Sequence, residues 1–172
     1  MLIRLHYLLV HQQSDGGWGS HLESPSTMFG SVLLYISCRL LGLPSNHPSA
    51  VKGRTFIRDH GGAIMTSSWA KLYLCVLGCM EWEGHNSVPP EMWLLPSWFP
   101  FHPSRLWVLT RSAYHPMGYL YGHRFVYDTT GTDPVIQSLR GEVYSVLHCG
   151  KTACISFAYN NYRPFAALLS AI

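Results

Sequence analysis

Residues 7–19 read Tyr7-Leu8-Leu9-Val10-His11-Gln12-Gln13-Ser14-Asp15-Gly16-Gly17-Trp18-Gly19. The apolar run before Gln12 is typical of the end of a helix, whereas the Asp-Gly-Gly sequence cannot comfortably continue one and predicts a tight turn. Trp18 then returns a large flat side chain toward whatever lies beneath that turn. The order Gln12-x-x-x-Gly16-x-Trp18 therefore joins a helix end, a turn and an aromatic brace, which indicates a repeated helical architecture.

The amino-acid composition is typical of a globular chain that is unusually apolar. Its 172 residues are enough for one domain with a sizeable core. Charged residues make up 12% of the chain, about half of the ~25% that is usual in soluble domains. We therefore expect apolar surfaces or an apolar cavity rather than disorder. The net charge of +3, with scattered basic residues, is too small to predict binding to nucleic acid.

The cysteines give no sign of a metal site. There are five, an odd number, and they lack paired-ligand spacing. Cys75 and Cys79 lie in an apolar helical run, so buried and reduced thiols are expected there. A zinc site around His148, Cys149 and Cys154 is the weaker alternative. This cysteine usage fits an intracellular protein, and neither a metal nor a cofactor is predicted.

The first ten residues resemble a signal peptide only briefly. Arg4 and His6 interrupt the apolar core, and the segment runs directly into the Gln-Trp motif, so it is read as part of a helix. No stretch approaches the ~18 consecutive apolar residues that span a bilayer. Any membrane contact should therefore lie on one face of the protein rather than cross the membrane.

Helical periodicity continues along the chain. It predicts helices over residues 26–41, 48–60, 67–80 and 134–147, each bounded by Gly, Pro or Asn. The prolines between residues 89 and 103 forbid a long regular helix there. Residues 104–125 predict either one long helix or two short ones that are broken at Pro116. Strand alternation is not found, so the predicted fold class is all-α.

Four sequence blocks then narrow the class of protein. They read Asp15-Gly16-Gly17-Trp18-Gly19, Pro25-Ser26-Thr27-Met28-Phe29-Gly30-Ser31-Val32-Leu33, Trp82-Glu83-Gly84 with Pro89-Pro90-Glu91-Met92-Trp93-Leu94-Leu95-Pro96, and Pro100-Phe101-His102-Pro103-Ser104-Arg105-Leu106-Trp107 with Tyr114-His115-Pro116-Met117-Gly118-Tyr119. Their order and spacing resemble the eukaryotic oxidosqualene cyclases, with lanosterol synthases and their fungal relatives the most alike. The resemblance covers about residues 5–144. It implies a partial N-terminal squalene-cyclase-like domain, an incomplete α/α toroid, over residues 1–145, followed by a divergent tail at 146–172.

The resemblance also implies a reaction and a cellular setting. Family members cyclise (S)-2,3-oxidosqualene, an apolar substrate, to a sterol or triterpene such as lanosterol. A carboxylic acid protonates the epoxide, and aromatic side chains then face the carbocation, a contact that gains ~0.5–2 kcal/mol in a dry site. The implied setting is a monotopic association with the endoplasmic reticulum membrane or a lipid droplet.

Specific residues of the chain match family positions. Trp69 matches a Trp close to the substrate cavity, and Trp107 matches a second aromatic residue that lines it. Tyr114 matches a Tyr at the constriction of the substrate channel. Leu109 stands where the family usually has a His that orients a neighbouring phenol, so this departure could change the product. Three further residues look like the family's QW motif and are expected to be structural rather than to contact substrate: Gln12, Gly16 and Trp18.

The acid that begins the reaction in the family is not found in this sequence. The family places it in an Asp-Cys-Thr-Ala-Glu motif, and none of the aspartates here has that context. We therefore assign no catalytic residue and expect a truncated form that does not cyclise substrate by itself. An alternative is a catalytically inactive, membrane-associated paralogue or binding module. Another α/α-toroid enzyme, such as a prenyltransferase subunit, would need zinc ligands and leaves the Pro-Pro-Glu-Met-Trp block unexplained.

Overall fold

The computed structural model describes residues 2–86, 88–100, 102–127 and 133–144. Six α-helices run over Leu2–Val10 (α1), Met28–Leu40 (α2), Pro48–Asp59 (α3), Ser68–Leu77 (α4), Val108–His123 (α5) and Pro134–Leu139 (α6). Within the described residues, the β-type pairing is limited to an isolated bridge between Gly19 and Ser26. The all-α prediction is therefore confirmed. The predicted tail and the alternative zinc residues beyond position 147 lie outside the described residues.

Short helical turns connect these helices. The 3-10 helices cover Ala63–Met65, Trp82–Gly84, Pro90–Leu94 and Pro103–Arg105, and a π-helix at Arg140–Tyr144 follows α6 directly. The proline-rich stretch thus forms single turns, as expected for a sequence that cannot sustain a long helix. The part of the predicted last helix that extends beyond residue 144 lies outside the described residues.

Two predicted helix boundaries were wrong by three residues or more, and the others that fall within the described residues differ by two residues at most. The fourth helix ends at Leu77 rather than at Met80, because Gly78 adopts a left-handed conformation with φ 80° that closes the helix. The fifth begins at Val108 rather than at residue 104, since Pro103–Arg105 forms a separate 3-10 turn. Of the two alternatives for this region, the single long helix is the one observed, and it passes through Pro116.

The second helix lies at the centre of the core. It contacts α1, α3, α4 and α6. Thr27 caps it, since its side-chain oxygen accepts a hydrogen bond from the backbone N–H of Gly30 at 3.1 Å. Val32, Tyr35 and Cys38 are completely buried along this helix. Helices α1, α3, α4 and α6 therefore pack on α2, whereas α5 packs on the turn Pro90–Leu94.

The described cysteines are buried, as predicted for Cys75 and Cys79. Burial raises the pKa of Cys75 to about 12 and that of Cys79 to about 11, so both remain protonated thiols at neutral pH. In the part of the chain that the structure describes, no group of three or more His, Cys, Asp or Glu side chains is placed to hold a metal ion. None of the described helices is both long and apolar enough to cross a membrane.

Candidate functional site

The Gln-Trp turn is held by its first glutamine and its first glycine. The Nε2 group of Gln12 donates hydrogen bonds to the carbonyl oxygens of Gly16 at 2.8 Å and Ser49 at 2.9 Å. Gly16 has φ 89°, and a Cβ atom there would lie 2.7 Å from the carbonyl oxygen of Lys52. Only glycine fits both the backbone conformation and the space. The turn is therefore docked against the start of α3.

Trp18 occupies the middle of this junction. Its side chain is only 2% exposed, and its indole Nε1 donates to the carbonyl oxygen of Leu8 at 2.9 Å. Its backbone N–H donates to the hydroxyl oxygen of Ser31 at 2.9 Å. On α3, a Cβ atom at Gly53 would lie 2.8 Å from the indole ring. The structure thus places Trp18 where α1, α2 and α3 meet.

Three of the residues matched to the family's cavity face outward. Trp69 lies in the first turn of α4 and is 46% exposed. Trp107 directly precedes α5 and is 68% exposed, and Leu109, in the first turn of that helix, is 61% exposed. Trp107 and Leu109 lie close together at one helix end, whereas Trp69 stands on a separate helix. All three offer apolar surface that the described chain leaves open.

Tyr114 is positioned differently from these three residues. It is partly buried, and its hydroxyl group donates to the carbonyl oxygen of Pro89 at 3.1 Å and lies 3.0 Å from the sulfur of Met92. Its ring centroid is 6.4 Å from that of Trp93. These contacts fix α5 against the turn Pro90–Leu94. Tyr114 therefore stands at the contact between α5 and the proline-rich stretch.

A buried histidine that the sequence did not single out lies between α4 and α5. Both ring nitrogens of His85 face backbone carbonyl oxygens, those of Asn86 and of Ser68, the latter at 3.1 Å. The ring centroids of Trp82 and Tyr121 each lie 5.8 Å away. Burial lowers the pKa of His85 although its carbonyl partners favour the charged form. The neutral imidazole therefore links the start of α4 to α5.

A second cluster missed from sequence surrounds Glu142. Its carboxylate accepts hydrogen bonds from Arg39, Ser138 and Tyr35, and Arg54 lies 3.8 Å away. Burial by itself would raise the pKa of Glu142, but these hydrogen bonds outweigh it and lower the pKa. No local pattern could have revealed this cluster, because Arg39 and Glu142 are 103 positions apart.

The described residues thus form a helical domain with a Trp-braced turn and an exposed aromatic surface. Residues 4–149 match the family model described as Squalene-hopene cyclase N-terminal domain. The chain therefore belongs to this family, as the resemblance of its sequence blocks indicated.

Individual relatives show which enzymes of the family this chain is similar to. Lanosterol synthase from Pneumocystis carinii is 49% identical over 142 residues, which cover 82% of this chain and 19% of that protein. A lanosterol synthase from Aspergillus fumigatus is 42% identical over an alignment 175 positions long, which covers 96% of this chain and 22% of the relative. Protostadienol synthase A of Aspergillus fumigatus is 46% identical over 140 residues, 81% of this chain and 19% of the relative. The chain thus spans about a fifth of the length of these relatives. The proposed boundary at residue 145 stays a prediction.

Proposed function

We propose that this chain forms the N-terminal helical part of an oxidosqualene cyclase, which converts (S)-2,3-oxidosqualene to a sterol or triterpene such as lanosterol. The observation that carries the proposal is the family match across residues 4–149. The helical fold of the described residues and the Trp-braced turn support it. The substrate is taken from the lanosterol synthases to which the chain is similar.

Trp69 and Trp107 would line the cavity in which the cation travels. Their side chains are 46% and 68% exposed in the described chain, so each indole offers aromatic surface to a hydrocarbon or a carbocation. Leu109 would contribute an apolar wall without a hydrogen bond. Tyr114, which is held against the carbonyl of Pro89, would narrow the channel by which substrate arrives. A closed cavity of this kind keeps water from the cation.

The chain by itself should not turn over substrate. Its sequence lacks the Asp-Cys-Thr-Ala-Glu motif that carries the family's proton donor. The described aromatic residues can stabilise a cation but cannot protonate an epoxide. When the expressed 172-residue chain is incubated with oxidosqualene, we expect no cyclic product by gas chromatography and mass spectrometry.

A membrane surface is the second partner that we propose. Leu94 and Trp98 of the proline-rich stretch are 84% and 73% exposed, and the exposed Arg105 donates to the carbonyl oxygen of Trp98 at 3.3 Å. Between positions 92 and 127 the sequence contains no Asp or Glu. An exposed apolar patch without negative charge suits a monotopic contact with the endoplasmic reticulum membrane or a lipid droplet. Flotation with phosphatidylcholine vesicles should recover the chain, and Trp98→Ala should reduce the recovered fraction.

A graft tests the enzymatic proposal directly. Residues 4–149 would replace the matching segment of the Pneumocystis carinii lanosterol synthase, and the purified graft would be assayed with oxidosqualene. We expect cyclic triterpene from the graft. Trp69→Ala and Trp107→Ala should each lower turnover about tenfold or divert the product, given the ~1.4 kcal/mol that a lost cation contact represents. Tyr7→Ala, at an exposed aromatic residue on α1, is the control and should leave turnover unchanged. A folded graft that makes no cyclic product would contradict the proposal.

A further inference from the structure

Segment 133–144, which comprises α6 and the π-helix, is attached to the rest of the protein by ion pairs of two kinds. The exposed pair joins Arg140 to Glu81, and about half of each side chain, 48% and 50%, is open to solvent. The buried pair joins Glu142 to Arg39, with side-chain exposures of 11% and 9%. The segment also buries three apolar side chains in the core: Ile136, Leu139 and Val143.

Both carboxylate oxygens of Glu142 are fully engaged. One accepts hydrogen bonds from Arg39 Nη2 at 3.1 Å and from the hydroxyl of Ser138 at 2.5 Å. The other accepts from Arg39 Nε at 3.2 Å and from the Tyr35 hydroxyl. Arg39 therefore binds the carboxylate through two parallel N–H donors, and this bidentate geometry makes the contact directional. Arg39 is itself fixed, because it also donates to the carbonyl oxygen of Leu43.

We propose that Glu142 sets the position in which segment 133–144 docks onto α2 and α3. Burial of apolar side chains is not directional, so it favours many related positions of the segment. The two parallel N–H donors of Arg39 (its fork) and the Tyr35 hydroxyl can together bind a carboxylate in one position only. Buried ion pairs of this kind add little net stability, but they can specify one arrangement among several. Glu142 lies within the π-helix Arg140–Tyr144, and its partners Tyr35 and Arg39 both lie on α2.

Because of the charges around Glu142, removing its carboxylate should cost more than removing that of Glu81. Arg39 comes from α2, and Arg54, 3.8 Å from the carboxylate, comes from α3. Without the carboxylate, these two cations face each other beside the Tyr35 hydroxyl in a poorly solvated place. Losing Glu81 leaves Arg140 in contact with water, which costs little. The two ion pairs of the same segment therefore form a matched test.

Hydrogen–deuterium exchange on the full chain, followed by mass spectrometry, measures the docking of the segment. For Glu142→Gln we expect amides in 133–144 to exchange at least about tenfold faster, while amides of α2 stay protected. For the control, Glu81→Gln, exchange should stay within about twofold of the parent chain. Unchanged exchange in Glu142→Gln, or equal acceleration in both variants, would overturn the proposal.

Two further variants separate shape from charge. The variant Arg39→Lys keeps a positive charge beside Glu142 but removes the fork of two donors, so we expect faster exchange in 133–144 than in the parent chain. The parent exchange rate in Arg39→Lys would show that attraction alone is sufficient, against the proposal. Where Glu142→Gln also loosens α2, Ser138→Ala decides, because it removes no charge and only the two hydrogen bonds of the Ser138 hydroxyl, one donated to Glu142 and one accepted from Arg39. It should accelerate exchange in 133–144 alone, and an unchanged rate there would refute the role of this site.

Discussion

Trp18 and Trp107 are the same residue type in opposite surroundings. Trp18 is 2% exposed and its indole N–H is bonded within the chain, whereas Trp107 is 68% exposed at the start of α5. The turn around Trp18 is complete because three helices of the same chain supply its contacts. The surface around Trp107 exposes apolar area that the described residues do not cover. Exposed apolar area of this kind is typical of a contact surface for another molecule or for further chain. Stability should therefore depend on the first region and activity on the second.

Removing each tryptophan gives the largest expected contrast. Trp18→Ala should lower the free energy of unfolding by about 3–5 kcal/mol, because it leaves a cavity and removes the hydrogen-bond donor to the carbonyl oxygen of Leu8. Trp107→Ala should change it by no more than about 0.5 kcal/mol, as for other surface substitutions. Urea unfolding in mild detergent, followed by circular dichroism, compares the two. Equal losses would remove the distinction between the regions.

Two glycines offer a similar contrast with opposite signs. Gly53→Ala places a Cβ atom 2.8 Å from the Trp18 ring and should cost about 1–3 kcal/mol of unfolding free energy. Gly118→Ala, inside α5, meets its nearest atom at 3.7 Å and should gain about 0.5–1 kcal/mol as a better helix former. Thermal midpoints of the two variants would reveal the sign of each effect. A stabilising Gly53→Ala would mean that the indole is not packed against α3.

The Gln12 side chain can be tested by changing one atom. Gln12→Glu replaces the amide donor by an acceptor that faces the carbonyls of Gly16 and Ser49. The loss should be about 1–3 kcal/mol in urea unfolding near neutral pH. Asn46→Asp makes the same chemical change at an exposed position and serves as the control. If both variants unfolded at the same urea concentration, Gln12 would have no special role in the turn.

The smallest expected effect is a pH dependence at the contact between α4 and α5. Burial lowers the pKa of His85 in the folded protein, so the unfolded chain binds a proton first as the pH falls. The stabilisation from neutral His85 is complete above the unfolded pKa of ~6.5 and is lost as the pH decreases below it. The urea midpoint of the parent chain should fall more between about pH 7.5 and about pH 5.5 than that of His85→Gln. A larger fall in the variant would show that His85 is charged when folded.

Local patterns predicted the architecture well because they involve neighbouring residues. The order from Gln12 to Trp18 contains the turn, its glycine and its aromatic brace. Helix boundaries were less accurate at Leu77 and Val108, where a glycine conformation and a separate 3-10 turn decided them. The helix also passes through Pro116, since Tyr114 and the buried Met117 anchor it on both sides.

Contacts between distant positions could not be predicted in this way. The hydrogen bond from Gln12 to Ser49 joins residues 37 positions apart, and that from Tyr35 to Glu142 joins residues 107 apart. Neither leaves a periodic signal in the sequence. The cavity roles of Trp69 and Trp107 rest on their places in matched blocks, and these assignments stay predictions.

Oxidative footprinting of the tryptophans, read by mass spectrometry, tests most directly whether the open surface belongs to a larger cyclase. Hydroxyl radicals would be applied to the 172-residue chain and to the lanosterol synthase graft that contains residues 4–149. Trp18 should resist oxidation in both proteins. Trp69 and Trp107 should be oxidised in the chain and protected in the graft, where the rest of the enzyme would enclose them. Equal oxidation of Trp69 and Trp107 in a folded graft and in the chain would contradict their placement at the cyclase cavity.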